Sequence, residues 1–333
     1  MHLHNNLSKK ILAWYDNNRR VLPWRVSKKS SKKLYYRLLS EFMLQQTQVK
    51  TVIPYFKKFI KEFPNLKSLS NSSETKVLKF WEGLGYYSRA KNLFITSRII
   101  VDKKKEKLPK TLNEIKKLPG IGDYTGNALL GLVHGQAQIA LDGNVKRFFS
   151  RIIDKNVSDI NFDLLIKKNK KNLFKTSRNS DLIEALIEFG ALVCKPKKPD
   201  CHMCCIKKNC KSFKLNKQFK KINKVKIIKK SYDIFCYLNE KKQIALTKNN
   251  NLGFLDKFIL PDVRNSSSKN NDKTWKFLCN YNNFISNKKL KINLYYKFSK
   301  KIPPQFNWYS IQGNKEFVPT FTKKIFKQVS NLY

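Results

Sequence analysis

The sequence predicts a mainly α-helical N-terminal domain followed by a smaller α+β C-terminal domain. Three observations carry that prediction. Apolar residues recur at helical spacing from Leu7 to Val193. Four cysteines then stand in one short loop, Cys194, Cys201, Cys204 and Cys210, spaced C-x6-C-x2-C-x5-C. From Tyr232 onward the pattern changes to runs of β-branched and aromatic residues, which read as strands. The expected division is a first domain over 1–215, a basic linker over 216–230 and a second domain over 231–333. A chain of 333 residues has room for two domains of ordinary size, and 41% hydrophobic residues suffice for packed cores.

Bulk properties exclude several classes. The chain has no run of about 18 apolar residues that could span a membrane. Its start, Met1-His2-Leu3-His4-Asn5-Asn6, lacks the apolar core of a signal peptide. Seven cysteines is an odd number, which fits a reducing cytoplasm with thiols ligating metal. The formal charge of +46 points to a polyanion partner, foremost nucleic acid. Lys, Asn and Ile are abundant throughout, as in proteins from AT-biased genomes, so charge supports the motifs without replacing them.

The elements follow in order. Residues 7–17 form an amphipathic helix with Leu7, Ile11, Trp14 and Tyr15 on its apolar stripe. Leu22-Pro23-Trp24-Arg25 ends that segment as a proline-fixed turn. A second helix spans about 34–46, burying Leu34, Tyr35, Leu38, Leu39, Phe42 and Met43. Glu41 falls at the edge of that face. A carboxylate beside an apolar stripe loses solvation, so its pKa rises and it becomes usable as an acid near neutrality. The same spacing also suits an ordinary boundary Glu paired with a lysine. Gln45-Gln46-Thr47-Gln48 then forms a polar tip whose amides could meet base edges.

Helical periodicity continues through 52–63 and 77–81, and Gly83-Leu84-Gly85-Tyr86-Tyr87 breaks it with a tight turn carrying exposed tyrosines. Such aromatics can wedge between bases, or pack as core. Another helix covers about 88–101. Thr111-Leu112-Asn113-Glu114 is a capping box that opens a short helix. Leu118-Pro119-Gly120-Ile121-Gly122 ends it, and a helix over about 123–133 follows with Ala128, Leu129 and Leu132 inward. This is a helix-hairpin-helix pattern. Gly120 and Gly122 lack a Cβ, so backbone N–H groups there can approach a DNA phosphate, aided by the next helix's N-terminus. Asp142 precedes a helix with Val145, Phe148, Phe149 and Ile152 on its apolar side, and reads as an N-cap, a carboxylate at a cleft, or both. A helix over 181–193 bears Glu184 and Glu188 and leads to the cysteine loop. Four thiolates in one loop suit either zinc or an iron–sulfur cluster, and the wide first gap favours [4Fe–4S]. Lys195, Lys197, Lys198, Lys207, Lys208 and Lys211 surround it, which suggests a phosphate backbone nearby. In the second domain, 231–238, 243–247 and 290–298 are read as strands and Ser266-Ser267-Ser268 as a loop.

Together, Leu22-Pro-Trp-Arg25, Ser40-Glu-Phe-Met-Leu-Gln-Gln-Thr-Gln-Val49, Gly83-Leu-Gly-Tyr-Tyr87, Leu118-Pro-Gly-Ile-Gly122, Leu141-Asp-Gly-Asn-Val-Lys-Arg147 and the cysteine loop resemble the adenine DNA glycosylases, the MutY family within the endonuclease III superfamily. The resemblance covers residues 7–215. It implies a six-helix barrel with a helix-hairpin-helix and one [4Fe–4S] cluster on Cys194, Cys201, Cys204 and Cys210. Cys205 stands where the family usually has Pro, and is a spare thiol. Glu41 matches the catalytic Glu that protonates adenine N7. Asp142 matches the second carboxylate, which stabilises the sugar cation, with Asn144 beside it. Gln46 and Tyr86 match residues that wedge into the duplex. Arg25, Tyr124 and Glu184 match positions around the extruded adenine. Lys146 matches a lysine able to trap an opened abasic sugar and is not counted as catalytic. In bifunctional relatives a nucleophilic Lys stands where this chain has Tyr124, and a phenol forms no Schiff base. The resemblance therefore implies a monofunctional, monomeric hydrolase of adenine paired with 8-oxoguanine or guanine in duplex DNA, acting at the nucleoid in the cytoplasm. The remaining alternatives are a bifunctional pyrimidine glycosylase/lyase and a non-catalytic Fe–S DNA-binding protein.

The family's second domain is Nudix-like and reads 8-oxoguanine. Leu252-Gly-Phe-Leu-Asp-Lys-Phe-Ile-Leu-Pro261 resembles its Gly-rich segment, but its Phe-Ser-His motif has only Phe284-Ile285-Ser286-Asn287 as a counterpart. Asp233, Glu240, Asp256, Asp262, Asp272 and Glu316 are scattered, so metal-dependent nucleotide hydrolysis is not expected of this domain.

Overall fold

The structure is a computed structural model of the chain. It describes residues 3–4, 6–27, 29–217, 227–248, 258–266, 272, 274–285, 287–312 and 317–333. The chain divides into two compact units, Met1–Ile222 and Asn223–Tyr333. Among the described residues no helix is long and apolar enough to cross a membrane.

The first unit is helical: α1 (Leu7–Asn18), α2 (Lys33–Leu44), α3 (Val49–Glu62), α4 (Leu66–Ser70), α5 (Glu74–Trp81), α6 (Ser88–Arg98), α7 (Leu112–Ile115), α8 (Asp123–His134), α9 (Gly143–Ile153), α10 (Phe162–Leu173), α11 (Asn179–Leu192) and α12 (Lys211–Lys214). Apolar residues at helical spacing set the packing. Leu7, Ile11, Tyr15, Val145, Phe148, Phe149, Leu186 and Phe189 bury together, so α1, α9 and α11 share one core. Phe42, Phe56, Phe59 and Trp81 are fully buried on α2, α3 and α5. α11 also packs on α8, and α8 on α2, so four helices present side chains to one place.

Helix ends position the loops. α2 stops at Leu44, two residues before the expected end, because Gln45 leaves the helical region at ψ 112° and Gln46 follows with a left-handed φ of 56°. Gly120, at φ 80°, turns the hairpin, and a Cβ there would meet the Phe42 ring at 2.7 Å and Asn92 at 2.8 Å. Both the conformation and the space require glycine. Thr111 caps α7 by accepting from Glu114 N at 3.3 Å, but Glu114 receives the Thr111 hydroxyl rather than reaching back to the backbone. The helix expected to run to about 101 changes at Ile99 to a π-helical turn, Ile99–Lys103. Tyr87 is buried, against the expectation that both tyrosines of the turn are exposed, since it packs at the start of α6.

The second unit holds β1 (Ile228–Asn239), β2 (Gln243–Leu246), β3 (Asp262–Asn265), β4 (Lys276–Ile285), β5 (Lys288–Phe298), β6 (Asn307–Ser310) and α13 (Thr320–Val329). The strand order is β4-β5-β1-β2-β6, with β3 also pairing β1. β1 and β5 are parallel; the other pairings are antiparallel. The period-two alternation puts Tyr232, Ile234, Cys236, Leu238, Leu290, Ile292 and Leu294 in one core with Phe321 and Ile325 of α13. Residues 228–230, assigned to the linker from sequence, belong to β1, because they pair with Lys288, Lys289 and Leu290. The rest of that linker over 218–226, the Gly-rich residues 252–257, Asp256, Ser267, Ser268, Ser286 and Glu316 lie outside the described residues.

Candidate active site

Glu41 lies on the last turn of α2 with 6% of its surface exposed, deeper than the edge position its spacing suggested. Burial raises its pKa to about 7. Arg37, one turn earlier, pulls it down, Asp142 and Glu184 push it up, and a hydrogen bond from the Tyr124 hydroxyl pulls it down. Burial and the neighbouring carboxylates hold the Tyr124 phenol well above its ordinary value, so it stays a neutral donor.

Asp142 comes from the turn before α9 and caps that helix: Val145 N donates to its Oδ1 at 2.7 Å. Asn144 Nδ2 donates to Oδ2 at 2.8 Å. Burial raises this carboxyl too, opposed by those two hydrogen bonds and by Arg147. Asp142 is therefore the N-cap of α9, and the same half-buried carboxyl pushes Glu41 upward. Arg147 holds Asn144 in turn, donating to its Oδ1 at 2.8 Å and to Gly190 O at 2.6 Å. α9 and α11 touch closely here: a Cβ on Gly190 would stand 2.8 Å from the Asn144 backbone oxygen.

Glu184 of α11 completes the wall. Arg25 Nε pairs with it at 2.8 Å, Arg37 pairs with its other oxygen, and the Tyr15 hydroxyl donates to it. Glu188, one turn on, is buried and pairs with Arg20 at 2.5 Å and Arg25 at 3.1 Å. Its burial opposes ionisation, but the arginines outweigh it and hold its carboxyl below the ordinary range. Sequence reasoning missed Arg37, Arg20 and Tyr15 as part of this network. The available signal was an arginine four residues before Glu41 on a buried helix face.

Gln46 and Tyr86 stand apart from the carboxylates. Both are exposed and both have left-handed backbones, at φ 56° and 50°. Gly122 is the N-cap of α8, and no atom lies within 4 Å of where its Cβ would be, so the backbone there is open to a ligand.

The cysteine loop is separate again. Cys194, Cys201, Cys204 and Cys210 are half-buried and line one cavity of about 240 Å3 with Phe148, Arg151 and Phe189. Arg151 Nη1 donates to Cys194 Sγ at 3.4 Å and to Lys195 O at 2.7 Å. Cys210 Sγ donates to Arg151 O at 3.4 Å. Burial and the neighbouring thiols raise Cys201, Cys204 and Cys210, Cys204 to about 12. Among the described residues no His, Cys, Asp and Glu group is gathered tightly enough to hold a single metal ion. Cys205 is exposed and its thiol meets Lys10 O at 3.5 Å. The Lys146 ammonium lies over the Phe162 ring, 5.6 Å from its centroid.

Residues 39–159, which include Glu41, Tyr124 and Asp142, match the HhH-GPD superfamily of base excision DNA repair proteins. The chain is 37% identical to an adenine DNA glycosylase of Buchnera aphidicola subsp. Baizongia pistaciae, covering 96% of this chain and 95% of the relative. The human adenine DNA glycosylase is 35% identical over 61% of this chain and 38% of its own length. Among solved structures, a thermostable thymine-DNA glycosylase aligns with TM-score 0.54 at 24% identity, covering 62% of this chain and 95% of that one. An endonuclease III trapped as a covalent intermediate with DNA aligns with TM-score 0.51 at 19% identity, covering 64% and 99%. At these identities the structural likeness is one of fold. The length and level of the sequence match go further: the chain belongs to the adenine DNA glycosylase family, within the HhH-GPD base excision repair superfamily.

Proposed function

We propose that this chain is a monofunctional DNA glycosylase that hydrolyses the N-glycosidic bond of adenine mispaired with 8-oxoguanine or guanine. The observation that carries the reading is the buried Glu41 carboxyl, raised to about 7, with the half-buried Asp142 carboxyl close enough to push it upward. A carboxylic acid in that range gives up a proton near neutrality, and a second carboxylate can stabilise positive charge that develops on a sugar. Glu41, protonated, donates to adenine N7, and the base leaves neutral. Asp142, whose carboxyl accepts hydrogen bonds from Val145 N and Asn144 Nδ2, acts as a carboxylate to stabilise the oxocarbenium-like deoxyribose until water adds. Tyr124 fixes the Glu41 carboxyl, and Arg25 and Glu184 border the adenine pocket. Gln46 and Tyr86 enter the base stack as the nucleotide swings out. Backbone N–H groups at Gly120 and Gly122 hold a phosphate of the duplex.

Cys194, Cys201, Cys204 and Cys210 would hold one [4Fe–4S] cluster. The supporting feature is the cavity that all four line. A cluster held there would take the four cysteines as thiolates and would tie the lysine-rich loop to the end of the last long helix. Arg151, hydrogen-bonded to Cys194 Sγ, supplies a positive neighbour for those sulfurs. The organisation proposed is a glycosylase domain over 1–215 and a Nudix-like lesion-recognition domain, its strands beginning at Ile228, acting as a monomer on nucleoid DNA in the cytoplasm.

The test is a duplex with one adenine opposite 8-oxoguanine, scored for an alkali-labile abasic site after incubation. Abasic sites should form without strand breakage before alkali, and borohydride should trap little protein on the DNA. Efficient trapping with spontaneous strand cleavage would instead establish a lyase.

A further inference from the structure

Arg89 stands in the first turn of α6 with 6% of its surface exposed. Its guanidinium sits between the loop of Gln46 and the loop of Tyr86. Nη1 donates to the backbone oxygens of Phe42, Met43 and Gln45 at 3.2, 2.8 and 2.5 Å, and to Thr47 Oγ1 at 3.1 Å. Nη2 donates to Leu84 O at 3.3 Å and Gly85 O at 3.0 Å. The same group lies 5.3 Å from the centroid of the Tyr86 ring and 5.5 Å from that of Trp81. Among the described residues it pairs with no carboxylate, and burial pulls its pKa down to about 10, which leaves it cationic at neutral pH. Apart from the Thr47 hydroxyl, its hydrogen-bond acceptors are backbone carbonyls. Those of Phe42 and Met43 belong to the last turn of α2, which lacks intrahelical donors and carries partial negative charge. That turn also carries Glu41.

The flanking backbone needs such a tie. Gln46 and Tyr86 both hold left-handed conformations, which non-glycine residues keep only when their surroundings fix them. Each lies one residue beyond a carbonyl that Arg89 binds, Gln45 and Gly85. A lysine could meet one loop as a point charge, but only a planar fork reaches both.

We propose that Arg89 is a positioning residue that locks the Gln46 and Tyr86 loops to each other, so that both side chains enter the duplex as one unit. The proposal rests on the reading of Gln46 and Tyr86 as duplex wedges. It separates two steps: extrusion of adenine depends on Arg89, whereas proton transfer from Glu41 does not.

The experiment compares full-length wild type, Arg89→Gln and Arg89→Lys on a duplex with 2-aminopurine beside an adenine opposite 8-oxoguanine. The fluorescence rise that reports unstacking should slow about 30-fold in Arg89→Gln and about tenfold in Arg89→Lys, within the range for coupled contacts. Single-turnover base release should fall in step, duplex affinity should stay within about threefold, and the pH midpoint should not move. In a double-mutant cycle, Gln46→Ala and Tyr86→Ala should couple in the wild type and act independently in the Arg89→Gln background. An unstacking signal at wild-type speed overturns the proposal. So does an equal loss of unstacking, affinity and helical circular dichroism, which marks a merely structural residue. If Arg89→Gln does not fold, Arg89→Lys carries the same comparison. A wild-type protein that releases adenine with no unstacking signal overturns the wedge reading and this proposal together, whereas one that unstacks DNA but releases no adenine overturns the proposed function alone.

Discussion

Burial raises the Glu41 carboxyl to about 7, and the direction of that shift sets two expectations at the residue scale. The acid acts in its protonated form, so single-turnover base release should decline about tenfold per pH unit above about pH 7. The native state also prefers the neutral carboxyl. That preference is fully present below the unfolded value of about 4.5 and is lost as pH rises through about 7. Glu41→Gln, which never ionises, should therefore be more stable than wild type by about 2–3 kcal/mol at pH 8 and by under about 1 kcal/mol at pH 5, read from denaturant midpoints. Equal stability at both pH values would mean that Glu41 is not held neutral by its surroundings. The residue was legible in the sequence as a carboxylate near an apolar stripe, and the family motif supplied its role. Its depth was not legible. It depends on Tyr124, Asp142 and Glu184, which lie 83 or more positions away in sequence, and helical spacing carries no information about them.

Among the elements, the contact of α9 with α11 fixes the second carboxylate. Gly190 lets the two helices meet, and Asp142 and Asn144 sit at that contact through the cap of α9. Gly190→Ala would force a methyl against backbone atoms of α9 that cannot step aside. Thermal unfolding should show a loss of about 2 kcal/mol, and base release should weaken further because Asn144 is displaced. A neutral substitution would show that the helices have slack. Most helices of the first unit could be read from apolar spacing, but α4, α10 and α12 were not, since the first and last are short and α10 is interrupted by a run of lysines and asparagines. β4 was missed for a related reason: Asn280, Asn282 and Asn283 depress its strand propensity, and pairing with β5 overrides it.

For the whole molecule, the proposed function has the charge of +46 and the cysteine loop act through DNA. If lysines and the hairpin hold phosphates, affinity for a mispair duplex should fall by about 1000-fold between about 50 mM and about 200 mM salt. A flat salt response would return the charge to compositional bias. Cys204→Ser should lose iron and the broad visible absorbance, lower the thermal midpoint, and weaken duplex binding more than it alters helical content. Purification with one zinc and no iron would replace the cluster with a different metal. The two-unit organisation was legible because periodicity itself changes along the chain, from 3.6 to 2. The edge strands of the second unit were not, because they are short or polar and take their place only through their neighbours.

The most direct test of the account is single-turnover kinetics of Glu41→Gln on a duplex with one adenine opposite 8-oxoguanine, with affinity measured on the same DNA. The account predicts a fall in base release of about 1000-fold or more, with the dissociation constant within about threefold of wild type. Base release at the wild-type rate would contradict it.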